Sequence, residues 1–374
     1  MLFRLDLLHF ISLMVFIVVA AGTTLTASAE PIVSNVTAAQ RADGSGLVDI
    51  YYDVADGVPT MKVVLAISSD NGSTWDITPT TIFGDIGTGI TNGTGKHIIW
   101  DAQADQPDVC WPDMGVRITA MDEVITILLP GDVPLVLVKI PAGTFMMGRY
   151  AGEQDSFDRE DTQHSVTLNG DFYMGKYEVT KGQWQAVMGT TPWSGQDYVL
   201  DDLDSPVVYV SWDDAHSFIT ALNIHITNTG QGVASMCLPS EAQREYACRA
   251  GSMQRFYWGD DLSYTEIDDY AWWDGTADNM EEDYAHVVGG KLPNVFGLYD
   301  MIGNAWEWCE DDWHSDYTGA PTDGSAWLNS PRASTRVARG GGWSSAGYFC
   351  RSATRNDGNL QTFTNYNMGF RLVR

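Results

Sequence analysis

Asp300 to Glu307 read Asp-Met-Ile-Gly-Asn-Ala-Trp-Glu. Two carboxylates seven positions apart flank a Gly-Asn turn that can aim backbone carbonyls inward, and hard oxygen ligands of this kind suit calcium. The same residues could equally satisfy backbone groups in a tight turn. Softer metal chemistry finds little support. The five cysteines, Cys110, Cys237, Cys248, Cys309 and Cys350, form no CxxC and no Cys/His cluster with zinc spacing. The histidines are scattered, so a zinc or non-haem iron site is disfavoured. A second feature is the stretch from Trp343 to Tyr366, which mixes aromatic, Asn and Arg positions in the manner of an adaptable recognition surface.

The chain that must position these residues has 374 residues, enough for two domains, and 21 Lys and Arg against 49 Asp and Glu, a formal charge of −28. Such acidity repels phosphate backbones and anionic membrane surfaces, which argues against nucleic acid as a partner. Residues 1–29 read as a signal peptide: Arg4, an apolar run from Phe10 to Ala21, then the small-x-small site Ala27-Ser28-Ala29. The run falls short of the roughly 20 residues a bilayer span needs, so no stable span is expected after cleavage. The expected location is secreted, periplasmic or at the cell surface. An odd cysteine count leaves at least one thiol unpaired if all pairing is internal.

Residues 30–125 carry strand signals at Val48–Val54, Met61–Ser68, His97–Asp101 and Val116–Met121, separated by turn clusters such as Asn92-Gly93-Thr94. That spacing predicts an all-β sandwich of immunoglobulin or fibronectin type with an accessory role. Pro130, Gly131, Asp132 and Pro134 mark a linker over 126–134. A second domain, 135–374, opens with a hairpin-like segment from Val138 to Gly148. Ser211 and Asp214 form a capping box for a helix presenting Ala215, Phe218, Ile219 and Leu222 on one face. Ser240 and Gln243 cap another, with Gly251 as its stop. Beyond it the chain reads as loop and short strand around buried aromatics, Trp306 and Trp308 among them.

Six strings occur in one order: IPAGTFMMG (140–148), FYMGKYEVTKGQW (172–184), LPSEAQREYACRAG (238–251), PNVFGLYDMIGNAWEW (293–308), RVARGGGW (336–343) and GFRLV (369–373). Together they resemble the formylglycine-generating-enzyme, or sulfatase-modifying factor, domain family. The resemblance implies an α+β, C-type-lectin-like fold with little regular secondary structure. It also implies a structural calcium, with Asp300 and Glu307 giving side-chain oxygens and Gly303 and Ala305 giving main-chain carbonyls. The family's oxidase chemistry uses two cysteines about five positions apart after a Gly-Gly-Ser turn, because paired thiolates hold copper(I). Here Gly342 replaces the turn serine, and Cys350 is the lone cysteine of the segment, with Ser345 five positions before it. A hydroxyl is a poor copper(I) ligand, so copper is not expected.

The leading reading is an exported, calcium-stabilised, non-copper member acting as a binding or accessory module for a protein or glycan ligand, through Trp343, Ser345, Tyr348, Arg351 and Asn356. The alternative is a protein-modifying oxidoreductase that converts a sulfatase cysteine to formylglycine. A surface or matrix scaffold is a third reading. Arg355 and Arg371 are expected as structural ion-pair or carbonyl partners.

Overall fold

The computed structural model describes residues 31–374 apart from 56–60, 70, 71, 73, 74, 76, 78, 108–113, 123, 234, 277–281 and 357. Residues 1–29, expected as a signal peptide, and Cys110 lie outside the described residues. The chain divides into two compact units, Met1–Ile125 and Thr126–Arg374.

In the first unit, β1 (Ile32–Gln40), β2 (Leu47–Ala55), β6 (Gly93–Asp101) and β4 (Ile82–Gly84) lie in that order in one sheet. A second sheet has the order β5 (Gly87–Ile90), β3 (Met61–Ser68) and β7 (Gly115–Asp122). The period-2 alternation of strand side chains sends Val48, Ile50, Tyr52 and Val54 of β2 inward. On the other sheet it buries Met61, Val63, Leu65 and Ile67 of β3. These residues share one core with Ile98 and Trp100. Asp105, in the short helix α1 (Ala102–Asp105), accepts from the Trp100 indole at 2.9 Å and from the backbone N–H of Thr80 at 2.7 Å, tying this end of the unit together.

Among the described residues the second unit holds three sheets. β8 (Val124–Leu129) and β9 (Val133–Ile140) join β12 (Phe172–Gly175) in the order β12-β9-β8. The segment expected as a linker is therefore a strand and a turn, and its Pro-Gly-Asp signal marks the reversal at 130–132. β10 (Gly143–Met147) pairs with β11 (His164–Leu168) and not with β9, so the hairpin expected at 138–148 does not form. Pro141 supplies no N–H to continue a ladder, and the chain passes there from one sheet to another. The third sheet runs β15 (Asn359–Leu360), β14 (Thr335–Arg339), β13 (Trp306–Asp312), β16 (Met368–Phe370), with β13 and β16 parallel.

Among the described residues three helices of eight residues or more pack on this frame, α2 (Lys181–Met188), α3 (Trp212–Thr229) and α4 (Glu241–Arg249), besides a single turn at Ile267–Tyr270. All three begin with a closed capping box, Thr180/Gln183, Ser211/Asp214 and Ser240/Gln243. The face expected for α3 is buried, with Ile226 added. α4 stops at Ala250, in a left-handed conformation at φ 45°, one residue before Gly251. α2 went unassigned in the sequence, because eight residues interrupted by Gly182 give little periodicity.

α4 shows how a loop-rich unit is held. Glu241, Arg244, Glu245 and Arg249 are all buried on it. A charge survives burial only when paired and hydrogen-bonded, and each one is. Arg339 reaches Glu241 at 3.0 Å and Glu245 at 2.5 Å, Arg355 reaches Glu241 at 2.6 Å, and Arg249 reaches Glu245 at 2.8 Å. Farther off, Arg351 binds Glu153 and Glu160, each at 2.7 Å. Aromatic stacks supply the apolar area that long elements would otherwise bury. Trp258 lies stacked between Phe256 at 4.6 Å and Tyr270 at 4.3 Å, and Trp184 stacks on Phe218 at 5.5 Å.

Candidate functional site

The turn from Asp300 to Ala305 is coiled by three left-handed residues, Asp300 (φ 52°), Gly303 (φ 73°) and Asn304 (φ 58°). Gly303 is required there: a Cβ would stand 2.2 Å from the Trp272 carbonyl oxygen. The turn is closed from below by Glu178, which the sequence reading missed. One of its carboxylate oxygens accepts from the Ala305 N–H at 2.9 Å and the other from the Asn304 side-chain amide at 2.8 Å. A carboxylate inside the motif string FYMGKYEVT was the available signal, but its target lies 126 residues away.

Glu178, Asp300 and Glu307 are all buried. Burial, with Asp300 and Glu307 nearby, raises Glu178 well above the usual carboxylate range. Burial pushes Asp300 up to about 6, against the pull of the Gly289 N–H and Arg371. Burial would raise Glu307 too, but Arg244 and Arg371 outweigh it and hold that carboxyl low. Asp300 Oδ2 accepts from the Gly289 N–H at 2.7 Å, whereas the buried Oδ1 has no hydrogen-bond partner. That orphaned anionic oxygen, in a region richer in carboxylate than in guanidinium, fits a hard cation. Both oxygens of Glu307 already accept from the two arginines. Among the described residues no three His, Cys, Asp or Glu side chains converge as a metal centre.

Beside this turn a 560 Å³ pocket opens. Its wall is aromatic on Trp306, Tyr348, Phe349 and Tyr366, and polar on Ser344, Ser345, Asn356, Asn359 and Asn367, with Arg159 and Asp274 also lining it. Three of the five residues expected to bind, Ser345, Tyr348 and Asn356, face this pocket. The other two do not line it. Trp343 is buried against Tyr366 and Tyr198 at ring distances of 5.4 and 6.1 Å. Arg351 is buried and consumed by Glu153 and Glu160, so it supports the wall from behind. Arg355 and Arg371 are likewise internal, on Glu241 and Glu307 with neighbouring carbonyls. Trp308 is core, while Trp306 is buried yet presents part of its ring to the pocket.

Ser345 has defined surroundings. Its Oγ accepts from the Gly342 N–H at 3.0 Å and from the Trp306 indole N–H at 3.2 Å. Cys350 is buried, and burial pushes its thiol up to about 12. Its sulfur fits against the left-handed Gly341, where a Cβ would come within 3.0 Å of Sγ.

An α+β domain of short sheets and long loops, fastened by buried arginine–glutamate pairs, is the class this arrangement defines. Residues 134–374 match the family described as sulfatase-modifying factor enzyme 1-like domain, and the chain belongs to it. The chain is 28% identical to the formylglycine-generating enzyme of Bos taurus over 299 residues, covering 64% of this chain and 74% of that one. It is 30% identical over 205 residues to the inactive C-alpha-formylglycine-generating enzyme 2 of Bos taurus, covering 52% and 56%. Among solved structures, PvdO from Pseudomonas aeruginosa is 30% identical with a TM-score of 0.57, covering 64% of this chain and 94% of that one.

Proposed function

We propose that this protein is an exported, calcium-stabilised binding or accessory module of the sulfatase-modifying factor family, with its ligand held in the pocket beside Trp306. The observation carrying this reading is the hydroxyl of Ser345 taken with the buried thiol of Cys350, five positions later. The position that would supply a first soft ligand is a hydroxyl, and the thiol five residues on is buried and strongly protonated. Without two thiolates the pocket has no means of holding copper(I), and its remaining groups bind and orient. Its relatives include one named a formylglycine-generating enzyme and one named inactive, so family membership is compatible with loss of chemistry.

Calcium belongs to the same proposal, on Asp300 with the main-chain carbonyls of Gly303 and Ala305, while Glu307, the fourth residue expected there, has both oxygens held by Arg244 and Arg371. There it would neutralise the unpartnered oxygen of Asp300 and stiffen the turn that carries Trp306. The first unit, two antiparallel sheets over one core, is read as an immunoglobulin- or fibronectin-like spacer. Export rests on the sequence of residues 1–29. No helix among the described residues is long and apolar enough to cross a membrane.

The test is metal analysis of the purified protein after dialysis against a weak chelator. The reading expects calcium near one per chain, lost in Asp300→Ala, with no stoichiometric copper or iron. Stoichiometric copper together with oxidation of a sulfatase-type cysteine peptide would overturn it in favour of the formylglycine-forming alternative.

A further inference from the structure

The pocket's lining narrows the ligand class, an inference that rests on the binding-module reading. Its volume, 560 Å³, is of small-ligand size, within roughly 300–1,000 Å³. In a chain of net charge −28 the lining is balanced, with one guanidinium, Arg159, and one carboxylate, Asp274. The Arg159 guanidinium lies 4.0 Å over the Phe157 ring, and its Nε donates to the Arg355 carbonyl at 2.8 Å, so it is anchored to the wall.

A hydroxyl has two lone pairs and one proton to give. Both acceptor directions of Ser345 Oγ are taken, by Gly342 N and Trp306 Nε1. Ser345 lines the pocket, so the hydrogen bond it has left to make is a donation to an acceptor oxygen of the ligand. Amides and hydroxyls, which both give and accept, make up the rest of the polar lining, and aromatic rings make up the apolar part. An extended peptide would call for a sheet edge to continue. Two strands contribute to the lining: β13, through Trp306, is already paired on both sides by β14 and β16, and the edge strand β15, through Asn359, is two residues long.

We propose that the pocket recognises a neutral saccharide, a ring with an apolar face to lie on the aromatic wall and oxygens to meet Ser345 and the surrounding amides. Tyr348 is the residue to probe. Tyr348 is exposed with its ring 4.6 Å from that of Phe349 and 6.1 Å from that of Phe157, while its hydrogen bonds, to Arg351 Nε at 2.9 Å and Thr354 Oγ1 at 3.2 Å, use the backbone carbonyl that alanine retains.

Saturation-transfer NMR on the full chain tests this with cellobiose, maltose and chitobiose as neutral probes, a sulfated disaccharide as the anionic one, and a hexapeptide pool. The expected result is binding of at least one neutral disaccharide, weakened at least about five-fold in Tyr348→Ala through loss of a stacking face, with the urea midpoint unchanged. Asn359→Ala serves as the second variant, should Tyr348→Ala lose its fold. Binding of only the peptides or only the sulfated sugar, saccharide binding indifferent to the folded variant, or no neutral binding at all would each overturn the proposal. Peptide binding without oxidation leaves the binding-module reading standing and removes only the saccharide. Copper-dependent oxidation of a cysteine peptide removes both.

Discussion

Arg244 and Glu307 meet side by side in the interior: Nε donates to Oε2 at 2.7 Å and Nη2 to Oε1 at 3.0 Å, with Nη2 also reaching the Met301 carbonyl at 2.7 Å. From the opposite direction Arg371 binds the same carboxylate at 3.0 Å and the Gly175 and Tyr299 carbonyls at 2.8 and 2.7 Å. One glutamate thus fixes helix α4, strand β13 and the C-terminal segment at a single point.

Removing that point exposes the cost of buried charge. Glu307→Ala leaves two interior guanidiniums without their anion, and a loss of about 3–5 kcal/mol is expected, read as a lower urea midpoint at unchanged slope. A loss under 1 kcal/mol would mean that water reaches this cluster.

Gly303→Ala forces a methyl group against the Trp272 carbonyl at 2.2 Å in a left-handed conformation. The expected destabilisation is about 3 kcal/mol, measured by thermal unfolding. The pocket beside it should loosen as well, because Trp306 follows three residues later.

Asp311 provides a pH signature. Burial and the neighbouring Glu241 push it up to about 7, although it accepts from the Glu241 and Trp327 N–H groups, both at 2.7 Å. The folded state therefore holds this proton more tightly than the unfolded one, and its contribution to stability falls as pH rises from about 4 to about 7. Urea midpoints of wild type and Asp311→Asn, measured at pH 5 and pH 8, should show the wild type losing more on the alkaline side. Equal pH dependence in both proteins would assign the proton elsewhere.

Calcium depletion should lower the melting temperature of wild type and leave that of Asp300→Ala unmoved. With free calcium at 100 times its dissociation constant the linked stabilisation is about 2.7 kcal/mol. An identical response in both proteins would place any bound calcium away from Asp300.

The thiols report on the copper question. Cys248, Cys309 and Cys350 are buried and Cys237 is exposed. Under native conditions Cys237 is the described thiol expected to react with a disulfide reagent, and the other three only in denaturant. Native modification of Cys350, mapped by mass spectrometry, would contradict its burial and reopen copper ligation there.

What could be read in the sequence was local. The caps of α3 and α4 are contained within four residues each, strands β2 and β3 alternate visibly, and the six family strings lie along the chain. The Asp300–Glu307 turn was found because both carboxylates are in one segment. Glu178 was not, since its bonds to Asn304 and Ala305 span more than 120 residues. Arg351 stands among the candidate ligand contacts in the sequence because its partners, Glu153 and Glu160, lie 198 and 191 residues earlier. The turn at 130–132 has the composition of a linker and of a hairpin alike, and only pairing with β9 distinguishes them.

The buried ion pairs have an effect outside the fold. Among the described residues nine Lys and Arg and nine Asp and Glu are buried. Set against 21 and 49 in the whole chain, this leaves 12 cationic side chains and 40 anionic ones elsewhere. Among the described residues the interior is therefore close to neutral, and the negative charge is carried outside it. Such a particle behaves as a polyanion: it elutes late from an anion exchanger, gathers counterions, and resists contact with its own kind. Acidification that discharges those surface carboxylates would remove that repulsion and leave the protein prone to precipitate.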